Sequence, residues 1–261
     1  MKKTFIIFLL LAALFGSGAT LSAQEQKEDP KWKTHLEFSY VITTGNTDSS
    51  NMSGKLDIAR EEEINRYFLK GNALFGQENN EETKNKWSLN TRWERILTKK
   101  FFGFLSANYI DDKFSGYDYR VGGGPGLGYD VVKIEDHKLK GLISLLYYYD
   151  RFYYDPSSGP PDPNRTIEED YLSGKAQIDY TWKILENLTF DQTIEYLVSF
   201  KEIKDEEYDK YFIDSETALK VKVNKHISLG VSYIIAYQNL PPSDVEKHTD
   251  TTFLTSLIID F

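Results

Sequence analysis

Apolar and polar positions alternate along almost the whole chain. Leu36, Phe38, Tyr40 and Ile42 are interleaved with His35, Glu37, Ser39 and Val41. Trp87, Leu89, Thr91 and Trp93 alternate with Ser88, Asn90, Arg92 and Glu94, and the stretch from Leu172 to Trp182 does the same. A period of two marks strands with one apolar and one polar face. Twelve such runs are expected, at roughly 32–44, 49–61, 65–76, 84–96, 100–112, 117–132, 138–152, 168–183, 187–202, 208–223, 226–239 and 248–261. Strands of soluble sheets are usually about 5–6 residues. These runs are long enough for the roughly 9–11 tilted residues that cross a bilayer.

The connections alternate in character. One set is tight: EEEIN (61–65), LTKK (97–100), KIEDHK (133–138), LEN (185–187) and VNKH (223–226). The other set is expected to be longer and more polar: TTGNTDS, GQENNEETK, DDKFSGY, DPSSGPPDPNRTIEE, KEIKDEEYD and NLPPSDVEKH. Short turns at one end and long loops at the other predict an all-β, transmembrane, antiparallel up-and-down barrel of about twelve strands, with both termini in the periplasm. The rival is a secreted β-sandwich, which would need a second layer to cover the outward apolar side chains.

The chain ends on FLTSLIIDF. Hydrocarbon offers no water to unpaired backbone, so the last strand must pair with the first. Phe261, Ile259 and Leu257 alternate on one face, and a terminal aromatic in that setting resembles the assembly signal of bacterial outer-membrane proteins. The N-terminus reads as an export signal: basic MKK, apolar FIIFLLLAALF, and small residues allowing cleavage after Ala19 or Ala23. The expected division is signal 1–23, polar leader 24–31 and barrel 32–261, placed in the cell outer membrane.

Composition narrows the chemistry. The net charge of −9 disfavours nucleic acid as a partner. The absence of cysteine excludes disulfides, thiolate metal sites and lipid attachment at an N-terminal Cys. Mean hydropathy is −0.48, yet the chain holds 18 Tyr, 16 Phe and 4 Trp, residues suited to surfaces apolar on one side and wet on the other.

DKFSGYDYR (112–120) followed by GGGPGLGYD (122–130) resembles the D-[KR]-F-x-G-x-x-x-R and G-x-G-x-G-Y pattern of the salt-induced outer-membrane protein family, known also as domain of unknown function 481. TGNTDSS (44–50), RWERILTKKFFGF (92–104) and the final PPSDVEKHTDTTFLTSLIIDF extend the resemblance over 35–261. It implies an outer-membrane barrel linked to salt or osmotic stress, without an assigned biochemical role.

The glycine run is no phosphate loop, since Tyr129 and Asp130 stand where Lys and Ser/Thr are required. Gly122, Gly124, Gly126 and Gly128 share one face opposite Val121, Leu127, Tyr129 and Val131, so they face the lumen. There they make room for Phe102, Phe104 and Tyr148 from neighbouring strands. With polar faces inward, acidic and basic side chains line the lumen in equal numbers. Arg92, Arg120 and Lys175 are expected to pair with Asp179, Asp191 and Glu195 in a hydrated, self-neutralising interior; the sharper reading is a narrow passage in which Asp191, Glu195, Asp214 and Glu216 favour cationic or sugar-like solutes.

An enzyme is the rival reading. Of four histidines, only His248 has Ser243, Asp244 and Asp250 near it in sequence, and no pattern orients them as a triad. No catalytic residue, metal site or cofactor is expected. The acidic stretch Asp205–Asp209 and the Pro-rich loop 157–165 are candidates for calcium or for surface contacts. The expected partners are outer-membrane lipids, lipopolysaccharide and the barrel-assembly machinery, and the expected state is a monomer. The expected role is passive, either a narrow channel or a structural envelope protein; the alternatives are a lipid or lipopolysaccharide hydrolase, and a surface-binding protein acting through its outer loops.

Overall fold

The computed structural model describes residues 32–43, 49–113, 117–152, 167–200, 210–240 and 248–261. The export signal, the leader, the Pro-rich and acidic loops, Ser243 and Asp244 lie outside the described residues. Twelve strands follow in order: β1 Trp32–Thr43, β2 Ser49–Glu61, β3 Asn65–Glu78, β4 Glu81–Ile96, β5 Phe101–Asp112 and β6 Tyr117–Lys133. Then come β7 His137–Phe152, β8 Ile167–Leu185, β9 Leu188–Ser199, β10 Tyr211–Lys222, β11 Ile227–Gln238 and β12 Thr249–Asp260. Each pairs antiparallel with its sequence neighbours, and β1 pairs with β12 to close one barrel. Among the described residues there is no second layer, so the sandwich reading falls.

Local chemistry makes the tight turns. In the β4–β5 turn the Thr98 hydroxyl accepts a hydrogen bond from the Phe101 N–H at 2.9 Å. In the β10–β11 turn the Asn224 side-chain oxygen accepts from the N–H groups of His226 and Ile227, at 2.8 and 2.9 Å. Such side-chain oxygens mimic a backbone turn. At the opposite end one expectation is corrected. GQENNEETK is not a long loop, because β3 and β4 continue to Glu78 and Glu81 and join through Asn79 and Asn80. Their φ angles are 51° and 68°. Positive φ at both central positions is the hairpin turn whose twist matches the strands, and Asn tolerates it.

The outer surface is apolar. Phe38, Leu89, Leu105, Leu127, Ile143, Leu172, Ile194, Leu229 and Leu257 all point out and are exposed. Aromatic girdles bound this belt. Near the loop end Trp87 stacks on Tyr109 at 4.7 Å, and Tyr119 and Tyr149 continue the row. Tyr196, Tyr211 and Tyr237 extend it over β9–β11. Near the turn end Phe101 meets Tyr129 at 4.7 Å, and His137 stacks on Trp182 at 5.7 Å. Polar groups within the belt satisfy one another: Thr217 donates to the Gln192 side-chain oxygen at 2.6 Å, and Gln192 donates to Ser215 at 3.0 Å. An apolar band between aromatic girdles is the exterior of a membrane barrel.

Candidate functional site

The lumen has two unlike sides. On the β3–β8 side it is filled. A Cβ on Gly128 would overlap the Phe102 ring, one on Gly126 the Phe104 ring, and one on Gly122 the Tyr148 ring. Gly124 has a different reason, because its Cβ would strike the backbone carbonyl of Leu145 on β7. Phe102, Phe104 and Leu142 form one buried cluster, and Leu146, Tyr148 and Tyr171 another.

Charge is packed among these rings. Glu94 is 0% exposed. Arg66 Nε lies 2.6 Å from one of its oxygens, and Arg92 Nε 2.9 Å from the other. Lys140 approaches to 4.0 Å from β7, across the bore from β4. The Arg66 guanidinium also covers the Phe102 ring at 4.5 Å and reaches Asp130 at 3.7 Å. Higher in the barrel Arg120 grips Asp150 with two parallel hydrogen bonds, at 2.8 and 2.7 Å. Tyr171 donates to the same carboxylate at 2.8 Å. Bidentate geometry and a third donor suit a carboxylate that has lost its water.

The wall formed by β8–β10 and β2 is different, because its charges stay partly exposed. Lys175 and Glu195 pair at 3.4 Å, with side chains 25% and 32% exposed. Lys220 and Asp191 pair at 3.2 Å, at 31% and 30% exposure. Asp191 also accepts from Thr181 at 2.7 Å, and Asp179 accepts from Gln177 and Thr193 at 2.8 and 3.2 Å. Lys55 of β2 meets Glu216 of β10 across the bore. Asp214 is exposed on the same inner face and stands opposite Glu195 in the β9–β10 ladder. Two adjacent carboxylates give this wall a local negative bias.

The expected ion-pair ladder is therefore corrected in part. Lys175 does meet Glu195, but Arg92 and Arg120 pair with Glu94 and Asp150 instead of Asp179 or Asp191. Asp150, Asp130 and Lys140 are functional-site residues that sequence reasoning missed. The signal for Asp150 was present, since it lies two positions beyond Tyr148 on the same face. It was hidden because the inward face of β7 is largely apolar, carrying Leu142, Leu146 and Tyr148, so a polar-inward rule passes over that strand.

The histidines are scattered. His35 bonds Asp260 at 2.7 Å, His137 meets the Tyr180 hydroxyl at 2.9 Å, and His226 and His248 face the backbone carbonyls of Asp260 and Gln238. Among the described residues no His, Asp and Glu side chains gather as a metal site.

Comparison with known proteins places this barrel among relatives. It is 24% identical to the uncharacterized protein YdiY of Escherichia coli (strain K12), over 98% of this chain and 97% of that one. Among solved structures it is similar to the NanC porin, with 14% identity, 87% of this chain and 97% of that chain covered, and a TM-score of 0.47. It is also similar to the translocator domain of autotransporter NalP from Neisseria meningitidis, with 10% identity, coverage of 100% and 94%, and a TM-score of 0.46. Residues 36–261, nearly the whole of the barrel, match the family described as protein of unknown function, DUF481, and the chain belongs to that family.

Proposed function

We propose that the protein is a passive, narrow channel of the outer membrane, non-enzymatic, working where salt and osmotic conditions change. The observation that carries this reading is the two-sided lumen. One wall is closed by rings and buried ion pairs, while the Lys175–Glu195 and Lys220–Asp191 pairs along the other keep access to water. Asp214 beside Glu195 supplies the local negative bias that favours small cationic or hydroxylated solutes.

The test is conductance of the purified protein in a planar bilayer. Small discrete steps with cation preference are expected. In Asp191→Asn/Glu195→Gln the preference should fall severalfold, because Lys220 and Lys175 then face the solute without their partners. Folded protein that adds nothing to the conductance of a bare bilayer would reject the channel and leave a structural or loop-binding role.

The terminal residue carries a second expectation. Phe261 exchanges two backbone hydrogen bonds with Thr34, at 2.9 and 3.1 Å, while its ring is 68% exposed to the outside. The ring thus adds little to the barrel's own packing and remains free for the assembly machinery to read. Phe261→Ala should lower the amount of assembled barrel in cells severalfold, yet refold into lipid vesicles like the parent. Equal loss in both settings would make the ring structural only.

A further inference from the structure

The seam that closes the barrel is zipped over only part of its height. β1 and β12 pair at five positions, His35–Ser39 with Ser256–Asp260, and Thr34 bonds Phe261 just below. On their other sides the same strands pair to the rim, β1 with β2 out to Thr43 and β12 with β11 out to Thr249. Among the described residues no ladder joins Tyr40–Thr43 to Thr252–Thr255. Where the ladder stops, the Ser39 hydroxyl donates to the Thr255 carbonyl at 2.8 Å, taking the place of a backbone N–H. The unpaired edges face each other over four residues, about 14 Å of strand.

Two further observations show what this slot accepts. Unpaired backbone groups are not left bare in hydrocarbon, so the slot must be wetted or filled by polar groups. The outer half of β12 is suited to that, because its lipid-side positions Thr249, Thr251 and Thr255 carry exposed hydroxyls. Behind the seam the inner wall carries hydroxyls beside the buried apolar side chains of Leu254 and Ile258. Ser39, Ser53, Ser232 and Ser256 are buried there, and the Ser232 oxygen has no hydrogen-bond partner. Glu37 lies beside them, 5% exposed, accepting from Ser256 at 2.5 Å. A buried carboxylate at the inner end disfavours an anionic headgroup.

Resting on the membrane-channel reading above, we propose that the slot is a lateral portal. Through it neutral, hydroxyl-bearing amphiphiles of the outer leaflet exchange between membrane and lumen. Their tails stay in lipid while the headgroup passes from the Thr249, Thr251 and Thr255 hydroxyls to those of Ser39 and Ser232.

The chain has no cysteine, so single-cysteine variants report cleanly. Ser39→Cys and Ser232→Cys mark the slot, and Thr193→Cys marks the lumen face of β9 on the hydrated wall. The full protein in lipid vesicles is treated with a dodecyl glucoside carrying a maleimide on its sugar, with a small water-soluble maleimide, and with a maleimide on an anionic phospholipid headgroup. The sugar reagent should label the two slot variants at least about tenfold faster than Thr193→Cys, and the anionic reagent should lag behind it. Normal labelling of all three variants by the soluble reagent, with no slot preference for the sugar reagent, overturns the portal alone. So does a slot shielded by a strand of a second copy, detected as a cross-linked dimer. If the soluble reagent fails to reach Thr193→Cys, the hydrated lumen falls and the portal with it.

Discussion

Glu94→Ala is expected to destabilise the barrel by about 3–5 kcal/mol, the usual cost of removing one partner from a buried ion pair. The carboxylate is wholly buried, with Arg66 and Arg92 on its two oxygens and Lys140 approaching from across the bore. Without it three cations remain beside Phe68, Phe102 and Phe104, with Asp130 at 3.7 Å from Arg66 as a remaining acidic neighbour. Urea unfolding in lipid vesicles, followed by tryptophan fluorescence, reads the loss directly. Glu94→Gln keeps the shape and loses the charge, so it should fall between parent and Glu94→Ala. Adding Lys140→Met should restore part of the stability by removing one uncompensated cation. A Glu94→Ala protein as stable as the parent would show that the cluster is solvated and the filled wall open.

Gly128→Val should destabilise by about 1–3 kcal/mol through overpacking against Phe102. Phe102→Ala alone should cost about 3–5 kcal/mol, because the ring is 1% exposed and leaves a cavity. The double variant is the informative one. The valine occupies part of the space the ring vacates, so the combined loss should be smaller than the sum by about 1 kcal/mol or more. Gly124→Ala behaves otherwise. Its new methyl meets the Leu145 carbonyl, which no side-chain shortening can move, so no second-site change on a facing side chain should rescue it. Additive losses for Gly128→Val and Phe102→Ala would mean that ring and glycine are not in contact.

The strands were legible because alternation is a local property. A residue's neighbours two positions away decide which face it takes, and β1, β2 and β9 run close to the expected bounds. The four lumen glycines were legible for the same reason. Height along the bore was not. Lys55 meets Glu216 only after the registers of β2–β1, β1–β12, β12–β11 and β11–β10 are added together, and no local pattern carries that sum. The pairing of Arg120 with Asp150 was closer to hand, being one ladder away. It was lost because β7 also turns Leu142 and Leu146 inward, so a polar-inward rule passes over the strand even though Tyr148 was expected in the lumen. The Asn79–Asn80 hairpin was missed because a polar run reads as a loop until the positive φ of both asparagines is known.

The filled wall has a consequence for the order of assembly. Many of its contacts, such as Arg66–Glu94 and Arg120–Asp150, join neighbouring strands between β3 and β8, so they close hairpins at small entropic cost. The Ser256–Glu37 bond, by contrast, links residues 219 positions apart. The middle of the chain is therefore expected to form a curved sheet first, with the two ends meeting last at the thinly stitched edge.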